Sequence, residues 1–592
     1  MKGWIVAVCT ASVLLVGQGG GQEQTWRVFL RDKGPEPFRV GSALYERTKA
    51  LHTPRALLRR AKVRSADSLL SLEDAPLYQP YLDSIRRWGT ILLALRWHNY
   101  LVVRADSLAI AELRRYPFVA AVQPTWQVPL LQPLPVVCEP EKRGAERVLA
   151  ADCGRFDYGP SWTQLQMLSV PALHRMGLGG DSVLLGVLDT GFRWRQHPAL
   201  GHLRVLAEWD FLGGDSLTAN EAGDAPSQDS HGTLVLSILG GFWQGQLIGV
   251  APRASYVLAK TEDIARERHL EEDAYAAAVE WMEALGVEVI SSSLGYRDFD
   301  SGEVSYRREQ LDGQTTIVAR ALRAAAERGV LCVTAMGNMG AGGIVSPADA
   351  DSALAVAAVD TLGRRLAFSS VGFRRGELVR PSLAALGSGV VAVGAGGGGP
   401  VRISGTSAAT PLVAGVVALL LQARPDVPPW RLRRALLQTA SQGMAPDTLV
   451  GYGIPNPVRA LLELGGAVGP PALLPVEGSV RVVASALLPF CCFQAQLQWA
   501  RAPREDAVQG SFALRMVGEF LCADIPPGLL QGRDTVWLRI VVVSSSGERI
   551  ASRWYAVGQL PAVPCGMEIP EELLRGAAAG GAAPVVVPSP VV

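Results

Sequence analysis

Lysine is nearly missing from this 592-residue chain: of its 56 basic residues only Lys2, Lys33, Lys49, Lys62, Lys142 and Lys260 are lysines. Arginine therefore carries the positive charge, and because it stays ionised and pairs through a planar fork this suits a warm habitat, although a GC-rich genome would leave the same bias. Excess charge is missing as well, since 56 basic and 55 acidic residues give a formal net charge of +1. Without a long-range field of either sign, electrostatics nominate neither nucleic acid nor an anionic membrane as a partner. No His-Glu-x-x-His occurs, which argues against a zinc peptidase, and the glycine-rich run Gly394 to Gly399 lacks the Gly-Lys-Ser/Thr of a phosphate-binding loop. Long apolar runs are scarce too. Trp4 to Val16 is too short to span a bilayer, and the run after Ser407 reads as the small-residue helix of a globular core, so no stable membrane insertion is expected.

What the chain does contain is a set of reactive side chains at the ends of buried elements. Leu184-Leu185-Gly186-Val187-Leu188-Asp189-Thr190-Gly191 is a buried-strand pattern ending in a carboxylate. Asp229-Ser230-His231-Gly232-Thr233 puts an imidazole at the start of an apolar helix, and Ile403 to Pro411 puts Ser407 at the start of another, after a cramped Gly-Thr turn. A serine hydroxyl is a poor nucleophile at neutral pH, so it needs a base such as His231, and an imidazole needs a carboxylate such as Asp189 to hold its tautomer. The run Val333 to Gly340 adds the amide of Asn338 just after a further strand, a donor for a tetrahedral oxyanion, with N–H groups at the Ser407 helix start as the second donor. Each of these residues taken alone has an ordinary role in a cap or turn.

Together they resemble the subtilisin-like serine peptidases. The blocks that carry the resemblance are Asp189-Thr190-Gly191, His231-Gly232-Thr233, Gly337-Asn338 and Gly405-Thr406-Ser407 through Pro411, in that order, over roughly residues 160 to 465. A fifth block, Ile290 to Gly295, resembles the family's substrate-backbone strand, which implies that Ser293, Leu294 and Gly295 pair with a bound peptide. Leu234 stands where a second histidine is common, and Met336 and Met339 flank Asn338. The order acid, base, serine argues against the α/β-hydrolases, which run serine, acid, histidine, although Ala409 fits their small residue two places after the nucleophile. A binding or scaffold protein with a retired triad is the competing reading, and the intact catalytic residues argue against it. The resemblance implies a secreted serine endopeptidase made as a zymogen, acting on protein or peptide substrates without a cofactor, with calcium possible although no oxygen-ligand loop of recognisable spacing is present.

Around the catalytic region, residues 1–22 read as a secretory signal, which implies a secreted, periplasmic or cell-surface protein. Residues 25–124 alternate strands and helices as a small α+β unit, and their position resembles a pro-domain that acts as an intramolecular inhibitor. Within it, Arg55, Arg59, Arg60, Lys62 and Arg64 read as a solvated helix face. Residues 125–160 read as a Pro-rich linker with the processing region, in which Cys138 and Cys153 could pair. Residues 161–466 alternate buried strands with helices, an α/β three-layer sandwich with a mostly parallel sheet. Residues 467–565 read as a β-sandwich-like domain and 566–592 as a disordered tail. Cys332 reads as a buried free thiol, and Cys491 and Cys492 as strand neighbours facing opposite ways.

Overall fold

Uninterrupted apolar runs form strands buried on both faces. The computed structural model describes residues 23–127, 156–530, 536–560, 563–564 and 566–575. The segment expected to be a signal, residues 128–155 of the expected linker, Cys9, Cys138, Cys153, Cys565 and the tail beyond 575 lie outside the described residues. Five runs, Leu184–Asp189, Ser255–Lys260, Val289–Ser292, Leu331–Ala335 and Leu354–Val359, form a parallel array. Leu383–Leu386 closes one edge and Arg204–Asp210 the other, both parallel as well, giving seven strands in the order 383, 354, 331, 289, 184, 255, 204 by first residue.

Alternate residues of a strand face opposite ways, and the core divides accordingly. Leu185 and Val187 join one apolar cluster with the helices Ser230–Gly240 and Thr406–Ala423. Leu184 and Leu188 join another with His269–Leu285 and Ile317–Glu327. The layers are helix, sheet, helix. Thr406–Ala423 is long and apolar enough to cross a membrane, but 94% of it is buried inside the protein, so it is a core helix.

The N-terminal unit is an antiparallel four-stranded sheet ordered Thr90–Leu95, Tyr100–Ala105, Gln24–Leu30, Val119–Pro124. One face packs Val28, Leu101 and Val103 against Leu77 and against Ile85, Ile110 and Leu113 of its own helices. The other face sets Phe29, Leu95, Tyr100 and Val102 into the apolar cluster of His269–Leu285, so the two units share a core.

The arginine helix is the main correction to the sequence reading. In Pro54–Arg60, capped by the Thr53 hydroxyl accepting from Ala56 N–H, Arg59 and Arg60 are buried while Leu58 is exposed. Arg60 donates through Nε to Glu283 Oε1 at 2.8 Å and through its terminal nitrogens to both Asp74 oxygens at 2.8 and 2.9 Å. Arg59 also pairs with Glu283, and Arg328 donates to Asp74 at 2.8 Å. Arg55, Lys62 and Arg64 are half-buried. The face is desolvated because it meets two carboxylates, Asp74 nearby in the chain and Glu283 more than two hundred positions away, and local charge pattern does not reach the second. Arg27 repeats the device, donating from Nε to both Asp273 oxygens at 3.0 Å.

Removing one member of a buried pair strands the other's charge, which costs about 3–5 kcal/mol. Glu283→Ala is therefore expected to weaken docking of the N-terminal unit by that amount, read as loss of trans-inhibition by residues 25–124. Unchanged inhibition would remove Glu283 as an anchor. The flanking guanidinium groups of Arg60 and Arg59 hold the Glu283 carboxyl far below its usual range despite burial. A depressed carboxylate stabilises the docked state above its free value of about 4.3 and loses that contribution as pH falls, so docking should persist at neutral pH and loosen only in strong acid.

Beyond the catalytic region, strands Ser479–Leu487, Phe520–Ile525, Val508–Val517, Phe493–Ala500 and Trp537–Ser544 pair in that order. Val508–Val517 bonds to Phe493–Ala500 through its first part and to Phe520–Ile525 through its last three residues, so one continuous sheet bends round a core of Val482, Leu497, Leu521, Leu538 and Ile540. Residues 566–575 do not extend away at this point: Met567 and Leu573 are buried against Leu474, Val483 and Phe520. Cys491 and Cys492 lie in the exposed loop before Phe493, not in a strand, and their Sγ atoms are 3.6 Å apart rather than on opposite faces. Cys332 is buried and free, with burial pushing its thiol up to about 12.

Candidate active site

Asp189 is the last residue of its strand and wholly buried. Its Oδ1 accepts from Thr190 N–H at 2.8 Å, from the Thr190 hydroxyl at 3.2 Å and from His231 Nδ1 at 2.7 Å. Oδ2 is buried and has no hydrogen-bond partner among the described residues. A carboxylate can only accept, so Nδ1 carries the proton and Nε2 is left as the basic nitrogen. The contact requires the helix to press on the strand. Gly232 allows this, since a Cβ there would lie 2.2 Å from Gly191 O and 3.0 Å from Asp189 Cβ. The negative charge of Asp189 raises the His231 pKa above its ordinary value against the opposing effect of burial.

Ser407 is the second residue of Thr406–Ala423 and half-buried. The turn before it needs glycine, because Gly405 has φ +153° and a Cβ there would sit 2.9 Å from Ser407 Oγ and 3.6 Å from Asn338 Nδ2. Those two polar atoms thus flank one point in space. Asn338 Oδ1 accepts from both Thr406 N–H and the Thr406 hydroxyl at 3.0 Å. A flipped amide would set donor against donor, so Oδ1 faces Thr406 and Nδ2 projects from an exposed residue toward the cleft. The Ser407 N–H, at a helix start, has no acceptor among the described residues. The loop itself is held by Gly337 N–H to the Thr406 hydroxyl at 3.2 Å and Met339 N–H to the Ser370 hydroxyl at 3.1 Å.

The structure thus joins Asp189 to His231, and Asn338 to the Ser407 turn. It draws no hydrogen bond between His231 Nε2 and Ser407 Oγ. Ser293, Leu294 and Gly295 follow the strand Val289–Ser292, and the Ser293 hydroxyl donates to Ser407 O at 2.9 Å. Leu294 is half-buried and Gly295 exposed.

Three contributors escaped the sequence reading. Thr190 anchors Asp189 and Thr406 orients Asn338; both lie inside the motifs, but a motif does not say which side chain each hydroxyl meets. Val345 has no motif: a Cβ on Gly295 would lie 2.1 Å from its Cγ2, and one on Gly337 3.0 Å from the same atom. Val345 therefore fills the space between Ser293–Gly295 and the Asn338 loop. Among the described residues no group of three or more His, Cys, Asp and Glu side chains could hold a metal ion.

Residues 180–453 match the family model described as the subtilase family, and residues 25–133 match the peptidase S8 propeptide domain of Bacteroidota. M-protease of Shouchella clausii is 32% identical over 299 residues, covering 49% of this chain and 67% of that protein. Subtilisin Savinase of Lederbergia lenta is 31% identical over 299 residues, covering 49% of this chain and 95% of that protein. Among solved structures, the prenylagaramide maturation protease PagA is 26% identical with a TM-score of 0.40, covering 50% of this chain and 98% of that one.

Proposed function

Because this chain belongs to the subtilase family and is a serine-type endopeptidase, we propose that Asp189, His231 and Ser407 perform the hydrolysis, with Asn338 as oxyanion donor. Rotation about the Ser407 Cα–Cβ bond brings Oγ toward Nε2, a contact that tightens when substrate binds. His231 takes the hydroxyl proton as Oγ attacks the peptide carbonyl, and the Asn338 amide and Ser407 N–H receive the oxyanion. The proton then passes to the leaving amine, and water repeats the sequence on the acyl-enzyme. Ser293, Leu294 and Gly295 pair with the substrate backbone, and Val345 limits the side chain accepted beside the scissile bond.

The observation that supports this reading most is the 2.7 Å contact from His231 to Asp189. The direct test is a fluorophosphonate label on the self-processed protein, which should attach to Ser407; no adduct on a folded sample would argue for a retired triad. The rest of the reading is an exported zymogen. Residues 1–22 serve as signal, 25–124 as inhibitor, 125–160 as processing region, 161–466 as catalytic domain and 467–565 as a sandwich-like accessory domain.

Two expectations follow from the site. Activity should rise with pH as His231 loses its proton, and because Asp189 raises that pKa the midpoint should lie above the ordinary value of about 6.5. A profile flat between about pH 5 and 8 would remove His231 as the base. Asn338→Ala should lower kcat by roughly a hundredfold to a thousandfold with KM little changed. A rise in KM alone would reassign Asn338 to substrate positioning.

A further inference from the structure

Beside the Asn338 loop lies a pocket of about 270 Å³ whose lining includes Arg297, Arg308, Arg374 and Arg375 and no acidic residue. Arginine is the only charged residue type in that lining, so the local field favours an anion. The protein's own compensation is slight. Arg297 donates to Gly342 O at 2.7 Å, but among the described residues its buried Nε has no hydrogen-bond partner and the nearest ion-pair oxygen, on Asp298, is 3.9 Å away. Arg375 donates to the Asp312 carbonyl at 2.9 Å and lies over the Phe373 ring at 4.9 Å; Arg374 donates to the Pro446 carbonyl at 2.5 Å. Arg308 has no ion pair among the described residues.

The position matters as much as the charge. Arg297 is two residues past Gly295, and Tyr296 between them is buried and bridged to Ser346 through 2.7 and 3.0 Å backbone bonds. The other wall, Gly342 to Ile344, runs on into Val345, while Val371 N–H donates to Gly340 O of the Asn338 loop at 2.8 Å. A polypeptide paired with Ser293–Gly295 would therefore pass the mouth of this pocket. Its lining combines apolar Leu311, Ile344 and Phe373 with the arginines, which suits a carboxylate on a short apolar stem.

We infer that this pocket receives an acidic side chain of the bound polypeptide, so that the enzyme favours substrates with a glutamate or aspartate at one fixed distance from the cleaved bond. The inference rests on the proteolytic reading above. Guanidinium–carboxylate pairing supplies both the attraction and the geometry, and it weakens as salt rises.

The test uses the full-length protein after self-processing and peptide pairs differing only in Glu against Gln, moved one position at a time along the substrate. At low salt one position should show a preference for Glu in kcat/KM of about tenfold, which salt erodes. Arg297→Gln with Arg308→Gln should bring that ratio close to one, Arg308→Lys should retain most of it, and Arg308→Glu should turn the preference toward a Lys peptide. Equal cleavage of every Glu/Gln pair at low salt would overturn the pocket reading and leave the protease reading intact. Cleavage of neither member of any pair would overturn both.

Discussion

Ser407→Ala is expected to abolish cleavage of peptide substrates and to leave residues 25–124 attached to the rest of the chain. The loss should be roughly a millionfold in kcat, the scale seen when a triad acting as a unit loses its nucleophile. Alanine is well tolerated at the second position of a helix, and the hydroxyl makes no hydrogen bond that holds the fold, so the variant should be folded. Its Asn338 loop should also stay in place, since Thr406 rather than Ser407 holds the amide. The measurement is paired: turnover of a reporter peptide, and the mass of the purified protein. A variant that still processed its N-terminus in the absence of other proteases would sink the assignment of Ser407.

Asp189→Asn should cost about ten-thousandfold in kcat, although it changes one buried atom and one charge. The geometry gives the reason whichever way the new amide turns. With its oxygen toward Thr190 N–H and the imidazole, the tautomer survives, but the negative charge that stabilises imidazolium is gone and an NH2 group occupies the Oδ2 site, which has no partner among the described residues. With nitrogen toward the ring, it opposes the Thr190 N–H and forces the imidazole proton onto Nε2, where it blocks proton transfer. Both arrangements also remove the Asp189 charge that raises the His231 pKa. Residual activity should therefore have an acid limb displaced to lower pH than in the wild type. An unmoved limb would mean that a group other than His231 titrates in the profile.

The buried strands were legible because their residues are apolar without interruption, a pattern that burial on both faces demands. Arg204–Asp210 was not, since an edge strand with one wet side mixes charged and apolar residues, and Val508–Val517, though paired on both sides, hid because alternate residues along most of its length are exposed. The reactive groups were legible because turn chemistry and reactivity coincide in short motifs. Glycine before the serine and glycine after the histidine are required by close approaches of 3 Å or less, to Ser407 Oγ and to Gly191 O. The arginine helix misled because charge next to charge in a sequence is usually solvated, and only Glu283 and Asp74 reverse that. The cysteine pair misled because a loop, not a strand, carries it.

Chain order alone established which groups could react, since the carboxylate, imidazole, hydroxyl and amide must sit at element ends and each of those ends is encoded within a few residues. Folding decided the remainder: that Thr406 turns the Asn338 amide, that Val345 fills the space beside Gly295, that Arg60 is buried against Glu283 and that four arginines surround one cavity. Each of these depends on residues brought together from well-separated parts of the chain, and the distances and desolvation that set their energies exist only once the layers have packed.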